Sequence, residues 1–215
     1  MPATESLMIY AEGVQKRFTQ RPIFKPVSFE ASAGDIIAIT GFNGAGKSTL
    51  LKIIGNVLSP SKGSCSWKMA GKTLDHDGIR TRLGYVAPYL ELYDELTAVE
   101  HVQLVAQLKG IPIAEQAAAG LLNDFGLDPK IAKSDRHLRA YSSGMKQRVR
   151  CAMAFACTPS ALLLDEPTSN LDEAGTSIVL VQAHNAAARG AIVFIATNDP
   201  RERAIAQREI VIEPV

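Results

Sequence analysis

Residues 41–49 are Gly-Phe-Asn-Gly-Ala-Gly-Lys-Ser-Thr, which match the pattern G-x-x-x-x-G-K-[ST]. The preceding residues 35–40 are apolar and β-branched, which predicts a buried strand, and residues 50–54 are typical of a helix. Glycines let the loop curl so that several backbone N–H groups point at one anion, and the helix N-terminus adds partial positive charge. A strand, a glycine loop and a helix in this order predict a phosphate-binding loop.

Two side chains of the loop carry specific chemistry in this interpretation. Lys47 is expected to reach the β- and γ-phosphates of a nucleotide, and the Ser48 hydroxyl is expected to bind Mg²⁺. The alternative is a chance glycine turn between a strand and a helix. The flanking pattern on both sides of the loop argues against that alternative.

Composition limits the class of protein. The chain has 215 residues, enough for one large domain or a domain with a subdomain, and its net charge of +1 gives no indication of a nucleic-acid surface. No apolar run approaches the ~20 residues that span a bilayer. Residues 1–6 lack the basic and apolar regions of a signal peptide. Three cysteines match no metal spacing, so we expect reduced thiols in a cytoplasmic protein: Cys65, Cys151 and Cys157.

Apolar strands alternate with helices along the chain, which predicts an α/β fold with a mostly parallel sheet. Thr97 and Glu100 fit a capping box at the start of one helix. The region from about 89 to 153 is predicted to form a helical subdomain inserted into the core. The predicted strands lie at 7–10, 22–31, 64–68, 82–87, 161–164, 191–196 and 209–212, and the other predicted helices at 113–125 and 173–189.

One predicted strand ends in two carboxylates. Asp165 is expected to hold Mg²⁺, directly or through water, and Glu166 is placed to polarise an attacking water. A solvated strand end is the alternative. Phe18, one strand pair before the phosphate loop, is compatible either with the core or with stacking on an adenine ring.

Four blocks in this order resemble the nucleotide-binding subunit of an ATP-binding cassette (ABC) transporter. Residues 41–49 resemble the Walker A loop, and Tyr141–Arg148 resembles the signature usually written L-S-G-G-Q. Leu162–Pro167 resembles Walker B with its glutamate, and Ser169–Asp172 resembles the D-loop. The resemblance covers residues 7–199 and implies a P-loop NTPase core with a small antiparallel β subdomain and a helical subdomain, in one ATP-binding domain over residues 1–215.

The resemblance also implies a function and partners. ATP and Mg²⁺ are the expected cofactors, and two such subunits are expected to bind ATP between them, with Ser142 and Gly144 of one reaching the γ-phosphate held by the other. The helical subdomain is expected to dock on a membrane-spanning subunit, so that the chain lies in the cytoplasm on the inner face of the membrane, with no nucleic-acid partner. Phe18 matches the adenine-stacking aromatic. The other residues implied to bind nucleotide are Gly41, Phe42, Asn43, Gly44, Ala45, Gly46, Lys47, Ser48 and Thr49, and Ser48 and Asp165 are the implied metal ligands.

Two departures from the family pattern bear on hydrolysis. Pro88 stands where the family has the Q-loop glutamine, and proline offers neither a side-chain amide nor a backbone N–H. Asn198 stands where the family has the switch histidine. Asparagine still donates a hydrogen bond, but it carries no proton in the neutral range.

Three hypotheses follow from these residues. The first is an ATPase that drives transport, with Glu166, Lys47 and Asn198 as its catalytic residues. The second is a regulatory clamp that binds ATP, dimerises and hydrolyses it poorly, as the two departures would allow. The third is a soluble ABC ATPase outside transport, against which the single cassette and the absence of a heptad run argue.

Overall fold

The secondary structure is taken from a computed structural model that describes residues 6–132 and 136–215. The prediction about a signal peptide falls mainly on residues 1–5, outside that part. The strands are β1 (Leu7–Gln15), β2 (Val27–Ser32), β3 (Ile36–Thr40), β4 (Lys62–Met69), β5 (Lys72–Thr73), β6 (Leu83–Val86), β7 (Ala161–Asp165), β8 (Ile192–Ala196) and β9 (Arg208–Val211). The helices are α1 (Lys47–Ile54), α2 (His76–Arg82), α3 (Ala98–Leu108), α4 (Glu115–Asp124), α5 (Pro129–Ala132), α6 (Ser143–Phe155), α7 (Glu173–Ala188) and α8 (Pro200–Ala204), with a 3-10 turn at Leu138–Ala140.

A five-stranded parallel sheet forms the centre of the fold, in the order β6-β7-β8-β3-β9. Asp165 at the end of β7 is the register partner of Ala196 at the end of β8, and β3 lies on the other side of β8. Parallel strands end at the same edge of a sheet, which is where ligands bind in open α/β folds. The loops after β3, β7 and β8 therefore share one edge, and the predicted parallel sheet is confirmed.

The second sheet is antiparallel, in the order β2-β1-β4-β5. β1 is longer than predicted, because residues 11–15 still pair with β4 although several of them are polar. A polar residue on the solvent face does not end an antiparallel strand. The register shifts around Gly13, whose φ is +57°. The predicted strand at 22–31 begins only at Val27, and β4 begins at Lys62, two residues earlier than predicted.

The three central strands of the parallel sheet, β3, β7 and β8, are buried on both faces, which explains why they are apolar along their length. On one face Ile37 and Leu163 pack with α1 and the antiparallel sheet, around the fully buried Trp67. On the other face Ile36 and Leu164 pack with apolar residues of α3, α4, α6 and α7. Alternating residues of each strand thus serve two separate cores.

The helices agree with the sequence where their ends carry strong signals. The capping box is present: Thr97 Oγ1 accepts from the backbone N–H of Glu100, and the Glu100 carboxylate accepts from that of Thr97. The helix predicted at 113–125 is shorter by two residues at its start and one at its end. The short helices α2 and α8 were not predicted, because a single turn or two gives too little periodicity. Asp75 and Asp199 nevertheless cap them.

Two structural findings bear on the expectations from composition. The three cysteines are free thiols; Cys151 is buried, whereas Cys65 and Cys157 are half-buried. Burial raises the pKa of both the Cys65 and the Cys151 thiol to about 12, so these two stay protonated at neutral pH. No helix in the described ranges is long and apolar enough to cross a bilayer.

Candidate functional site

The loop between β3 and α1 has the backbone that its glycines allow. Gly41, Gly44 and Gly46 have φ of +143°, +85° and +105°, values that other residues rarely adopt. A Cβ at Gly46 would lie 2.7 Å from a ring carbon of Phe24, so no larger side chain fits there without movement. α1 begins at Lys47, directly after this turn. The free N–H groups of its first turn therefore open onto the loop, as anion binding requires.

The Lys47 side chain is held within this loop. It is 7% exposed, and its ammonium donates to the carbonyl oxygens of Gly41 at 2.8 Å and Phe42 at 3.3 Å. These bonds fix a positive charge next to the N-terminus of α1. A cavity of about 430 Å³ opens above the loop, and the residues that line it are Phe18, Ile23, Asn43, Gly44, Gly46, Lys47, Ser48, Thr49 and Glu166.

Phe18 lies in the connection between β1 and β2 and is 67% exposed. The Lys16 ammonium lies 5.5 Å from the centre of its ring. An exposed phenyl ring at the mouth of a cavity presents a flat apolar face to whatever enters it. The sequence left two roles open for Phe18, packing in the core and stacking on an adenine ring. Its exposure shows that packing in the core is wrong.

Asp165 and Ser48 form the part of the site that suits a divalent cation. Asp165 is 3% exposed, the Ser48 hydroxyl is hydrogen-bonded to its carboxylate, and within the described residues Oδ2 of Asp165 is buried without a partner. Burial raises the pKa of the Asp165 carboxyl, and the Ser48 bond opposes the shift. An uncompensated carboxylate oxygen beside a hydroxyl is the oxygen donor set that Mg²⁺ uses.

The protein ligands for such a cation are few. The described ranges contain no group of three His, Cys, Asp or Glu side chains that could hold a metal. Mg²⁺ commonly keeps several waters and is bound through one or two protein groups plus substrate phosphates. The donors present fit that mode of binding and not a cage made wholly of protein.

Glu166 follows Asp165 with an unusual backbone. Its φ is +46°, in the left-handed region that costs a non-glycine residue free energy. Its backbone N–H donates to Ala196 O at 2.9 Å, which fixes the peptide against the end of β8. The side chain is exposed and lines the cavity opposite the phosphate loop. Strained residues of this kind concentrate at functional sites.

Asn198 is brought to the phosphate loop by the end of β8. Thr197 N–H donates to Ile39 O at 3.0 Å, which extends the pairing of β8 with β3 by one residue. The next side chain, Asn198, donates from Nδ2 to Asn43 Oδ1 at 2.8 Å. Asn198 therefore touches the loop although 155 residues separate it from Asn43.

Ser142 and Gly144 lie elsewhere. Ser142 caps α6 by accepting from Met145 N–H at 3.2 Å and is exposed. Gly144 lies against Asn170, because a Cβ at this glycine would lie 2.9 Å from Asn170 O. Neither residue lines the cavity above the loop. A single chain therefore does not bring the signature to its own phosphate loop.

Sequence reasoning missed a cluster beside Asp165. Pro88 is exposed after β6, and the hydroxyls of Tyr85 and Tyr89 on either side of it are hydrogen-bonded to each other. The Lys52 ammonium lies 4.2 Å from the centre of the Tyr89 ring. Burial, the Tyr89 bond and the Asp165 carboxylate all raise the pKa of Tyr85. Two tyrosines four residues apart across a proline were the available signal, but only the fold shows that they approach Asp165.

Comparisons with known proteins agree with this geometry. The profile of the family described as "ABC transporter" matches residues 24–169. The ABC-type transporter ATP-binding protein EcsA of Bacillus subtilis is 34% identical over 84% of this chain and 73% of its own length. The ATP-binding protein HrtA of Staphylococcus haemolyticus is 35% identical over 90% of each chain. A dimeric ATP-binding cassette in a post-hydrolysis state, bound to ADP and Pi, superimposes with a TM-score of 0.83 at 26% identity, covering 95% of this chain and 94% of the other.

Proposed function

This chain belongs to the ABC transporter family, and from that premise we propose which of its residues bind ATP, which hydrolyse it and which surfaces its partners use. The chain is an ATP-binding and ATP-hydrolysing subunit that powers transport, as its relatives are. The observation that carries the residue assignment is the shared edge of the parallel sheet. The phosphate loop, Asp165, Glu166 and Asn198 all follow strands that end there.

ATP binding is assigned to the cavity above the loop. Phe18 stacks on the adenine, and the loop N–H groups and Lys47 bind the phosphates. Ser48 and Asp165 would hold Mg²⁺, which would offset the negative charge of the phosphates. The other residues of the loop contribute through their backbone, namely Gly41, Phe42, Asn43, Gly44, Ala45, Gly46 and Thr49.

Hydrolysis is assigned to Glu166 as general base. Its carboxylate accepts a proton from the attacking water, the water oxygen bonds to the γ-phosphorus, and the bond to the β–γ bridging oxygen breaks to leave ADP and phosphate. Lys47 stabilises charge on the transferred group. Asn198 donates an amide hydrogen bond to the γ-phosphate, the contact that its position beside Asn43 supports.

Two copies are proposed to complete each site. Ser142 and Gly144 are outside the cavity of their own chain, and Ser142 is exposed at the N-terminus of α6. A dimeric arrangement in a solved relative supports a partner that brings this N-terminus to the γ-phosphate. The partner is an identical or related nucleotide-binding subunit.

We assign the binding site of the membrane-spanning partner to a second groove, which lies beside β6. The cavity there has a volume of about 480 Å³, and its lining includes Leu83, Leu90, Val105 and Met153. Some sequence neighbours of the lining residues have exposed apolar side chains, among them Leu108 and Tyr89. An apolar groove with an apolar rim favours a protein segment over a polar ligand. Residues 89–153 supply part of this groove, and docking there would place the chain at the inner face of the membrane.

Substitution of the proposed base tests the assignment. We expect Glu166→Gln to lower ATP turnover by at least a hundredfold while leaving ATP binding intact, because the amide accepts no proton. Turnover, nucleotide binding and size-exclusion profile are measured for the wild type, Glu166→Gln and Lys47→Ala. We expect only Glu166→Gln to accumulate as an ATP-bound dimer. Wild-type protein that binds ATP, dimerises and does not hydrolyse it would instead identify the clamp hypothesis.

A further inference from the structure

Glu202 is a buried carboxylate that the proposed mechanism leaves unused. It lies in the short helix α8 and is 1% exposed. Its Oε1 accepts from both the backbone N–H, at 3.0 Å, and the hydroxyl of Thr168. Because α8 directly follows the segment after β8, this one side chain ties that segment to the segment after β7.

The first of these segments carries the proposed base. Thr168 is two residues after Glu166, and the peptide between them is fixed from a second side. Pro167 O accepts from Gln147 Nε2 of α6 at 2.8 Å. Glu202 and Gln147 thus hold adjacent residues from two helices, and the left-handed turn at Glu166 begins directly before them.

The second segment carries the residue that touches the phosphate loop. Thr197 is buried, and its hydroxyl accepts from Asp199 N–H at 2.8 Å. Asn198 lies between them and reaches Asn43. Asp199 caps α8, so the two Thr168 bonds to Glu202 join the segment after β7 to the helix that directly follows the segment presenting Asn198.

Packing alone does not require a carboxylate here. Burial raises the pKa of the Glu202 carboxyl, which is opposed by the hydrogen bonds from Thr168 and Thr197, and Oε2 has no partner within the described residues. A buried charged or partly satisfied acid costs free energy that an apolar side chain of the same size avoids. Buried polar networks do, however, fix one arrangement of the segments that they join.

We propose that Glu202 is a positioning residue for ATP hydrolysis, which holds the Glu166 segment and the Asn198 segment in fixed relation to each other. It contacts no nucleotide and acts through Thr168 and through its place in α8. The proposal rests on the roles assigned to Glu166 and Asn198. It goes beyond those two roles, because neither of them explains what aligns the Glu166 segment with the Asn198 segment.

Steady-state turnover of the full chain tests the positioning role. We expect Glu202→Met, which keeps an unbranched side chain of similar size but removes the oxygen that accepts from both Thr168 donors, to lower kcat about tenfold and to leave KM for ATP within about twofold, since small misplacements of catalytic groups act on kcat. Glu115→Met, at an exposed acid in the first turn of α4, is the matched control and is expected to retain wild-type kcat. A folded Glu202→Met enzyme with unchanged kcat overturns the proposal.

A double-mutant cycle separates positioning from general destabilisation. If Glu202 acts through the Asn198 segment, the Glu202→Met, Asn198→Ala enzyme has a kcat close to that of the slower single variant. If the two effects multiply, the proposal is wrong. Asn198→Ala alone tests the proposed role of Asn198. Failure of that role can therefore be distinguished from failure of the proposal for Glu202.

Thr168 gives a second test if Glu202→Met does not fold. Thr168→Val keeps the shape of the side chain but removes the hydroxyl that donates to Glu202 Oε1. Thr168→Ser keeps that hydroxyl. We expect a several-fold loss of kcat in Thr168→Val and wild-type kcat in Thr168→Ser. Equal kcat in both variants would contradict the proposal.

Discussion

At the scale of single residues, Glu166 combines chemistry with backbone strain. Its φ of +46° lies in a region that costs a non-glycine residue about 1–2 kcal/mol. The bond from its N–H to Ala196 O fixes the peptide there. In this conformation Glu166 lines the cavity above the phosphate loop, and strain of this kind concentrates at functional sites, which agrees with the role proposed for Glu166.

Removing the strain is expected to stabilise the protein. We predict that Glu166→Gly raises the free energy of unfolding by about 0.5–1 kcal/mol, the relief of strain less the added entropy of the unfolded chain, while turnover is lost. Urea unfolding without nucleotide measures the change. Asn170→Gly is the matched control: Asn170 has φ +64°, but asparagine tolerates this region, so its stability is expected to change little. An equal gain in both variants would show that Glu166 is not specially strained.

At the scale of elements, α3 shows how a cap and a buried histidine define one helix start. His101 is 1% exposed, its Nδ1 lies 2.8 Å from Thr97 O, and its Nε2 accepts from Tyr93 N–H at 2.9 Å. Both ring nitrogens are thus used in the neutral form. Burial lowers the pKa of His101, opposed by its bond to Thr97 and by the Glu100 carboxylate.

The sign of the resulting pH dependence follows from that shift. The folded pKa lies below the unfolded value of about 6.5, so the unfolded chain binds more protons between the two. The stability from neutral His101 is present above pH ~6.5 and is lost as the pH falls through the folded pKa. We predict that unfolding free energy decreases from pH 7.5 to 5.5 and that the decrease is smaller in His101→Gln, which still accepts from Tyr93 and donates to Thr97. Equal slopes for both proteins would contradict this.

Strands and helices were predictable where apolar side chains recur at a regular spacing. The apolar strands β3, β7 and β8 and the capped start of α3 follow from local pattern, and the structure has them within one or two residues. The short helices α2 and α8 could not be predicted from local pattern, since a helix of one or two turns depends on tertiary contacts more than on its own periodicity. The polar end of β1 was missed because its pairing with β4 is a property of the sheet.

At the scale of the molecule, one chain holds two half-sites. The phosphate loop and the N-terminus of α6 lie on separate parts of the surface, as Ser142 and Gly144 do not line the cavity. In the proposed arrangement a second copy in the reverse orientation completes both half-sites, which gives two equivalent sites by symmetry. Assembly would then depend on ATP, because ATP would supply the contact between the halves.

A charge at the second half-site tests this assembly. In the Glu166→Gln background we predict that Ser142→Asp abolishes the ATP-dependent dimer, because its carboxylate would face the γ-phosphate. Ser142→Asn is the matched neutral control and retains the dimer. Both side chains can replace serine in accepting from Met145 N–H, so both variants keep α6 capped. Size-exclusion chromatography with ATP and Mg²⁺ measures the outcome, and dimers in both variants would count against the cross-chain contact.

The sequence by itself determined the phosphate loop, the acidic end of β7, the parallel sheet and the family. These depend on spacing of a few residues, so local backbone preference and burial are enough to specify them. Tertiary structure decided which distant residues meet: Asn198 with Asn43, Tyr85 with Asp165, and Glu202 with Thr168. Such pairs are fixed by strand order and register across the sheet, and no local pattern records which strand ends become neighbours.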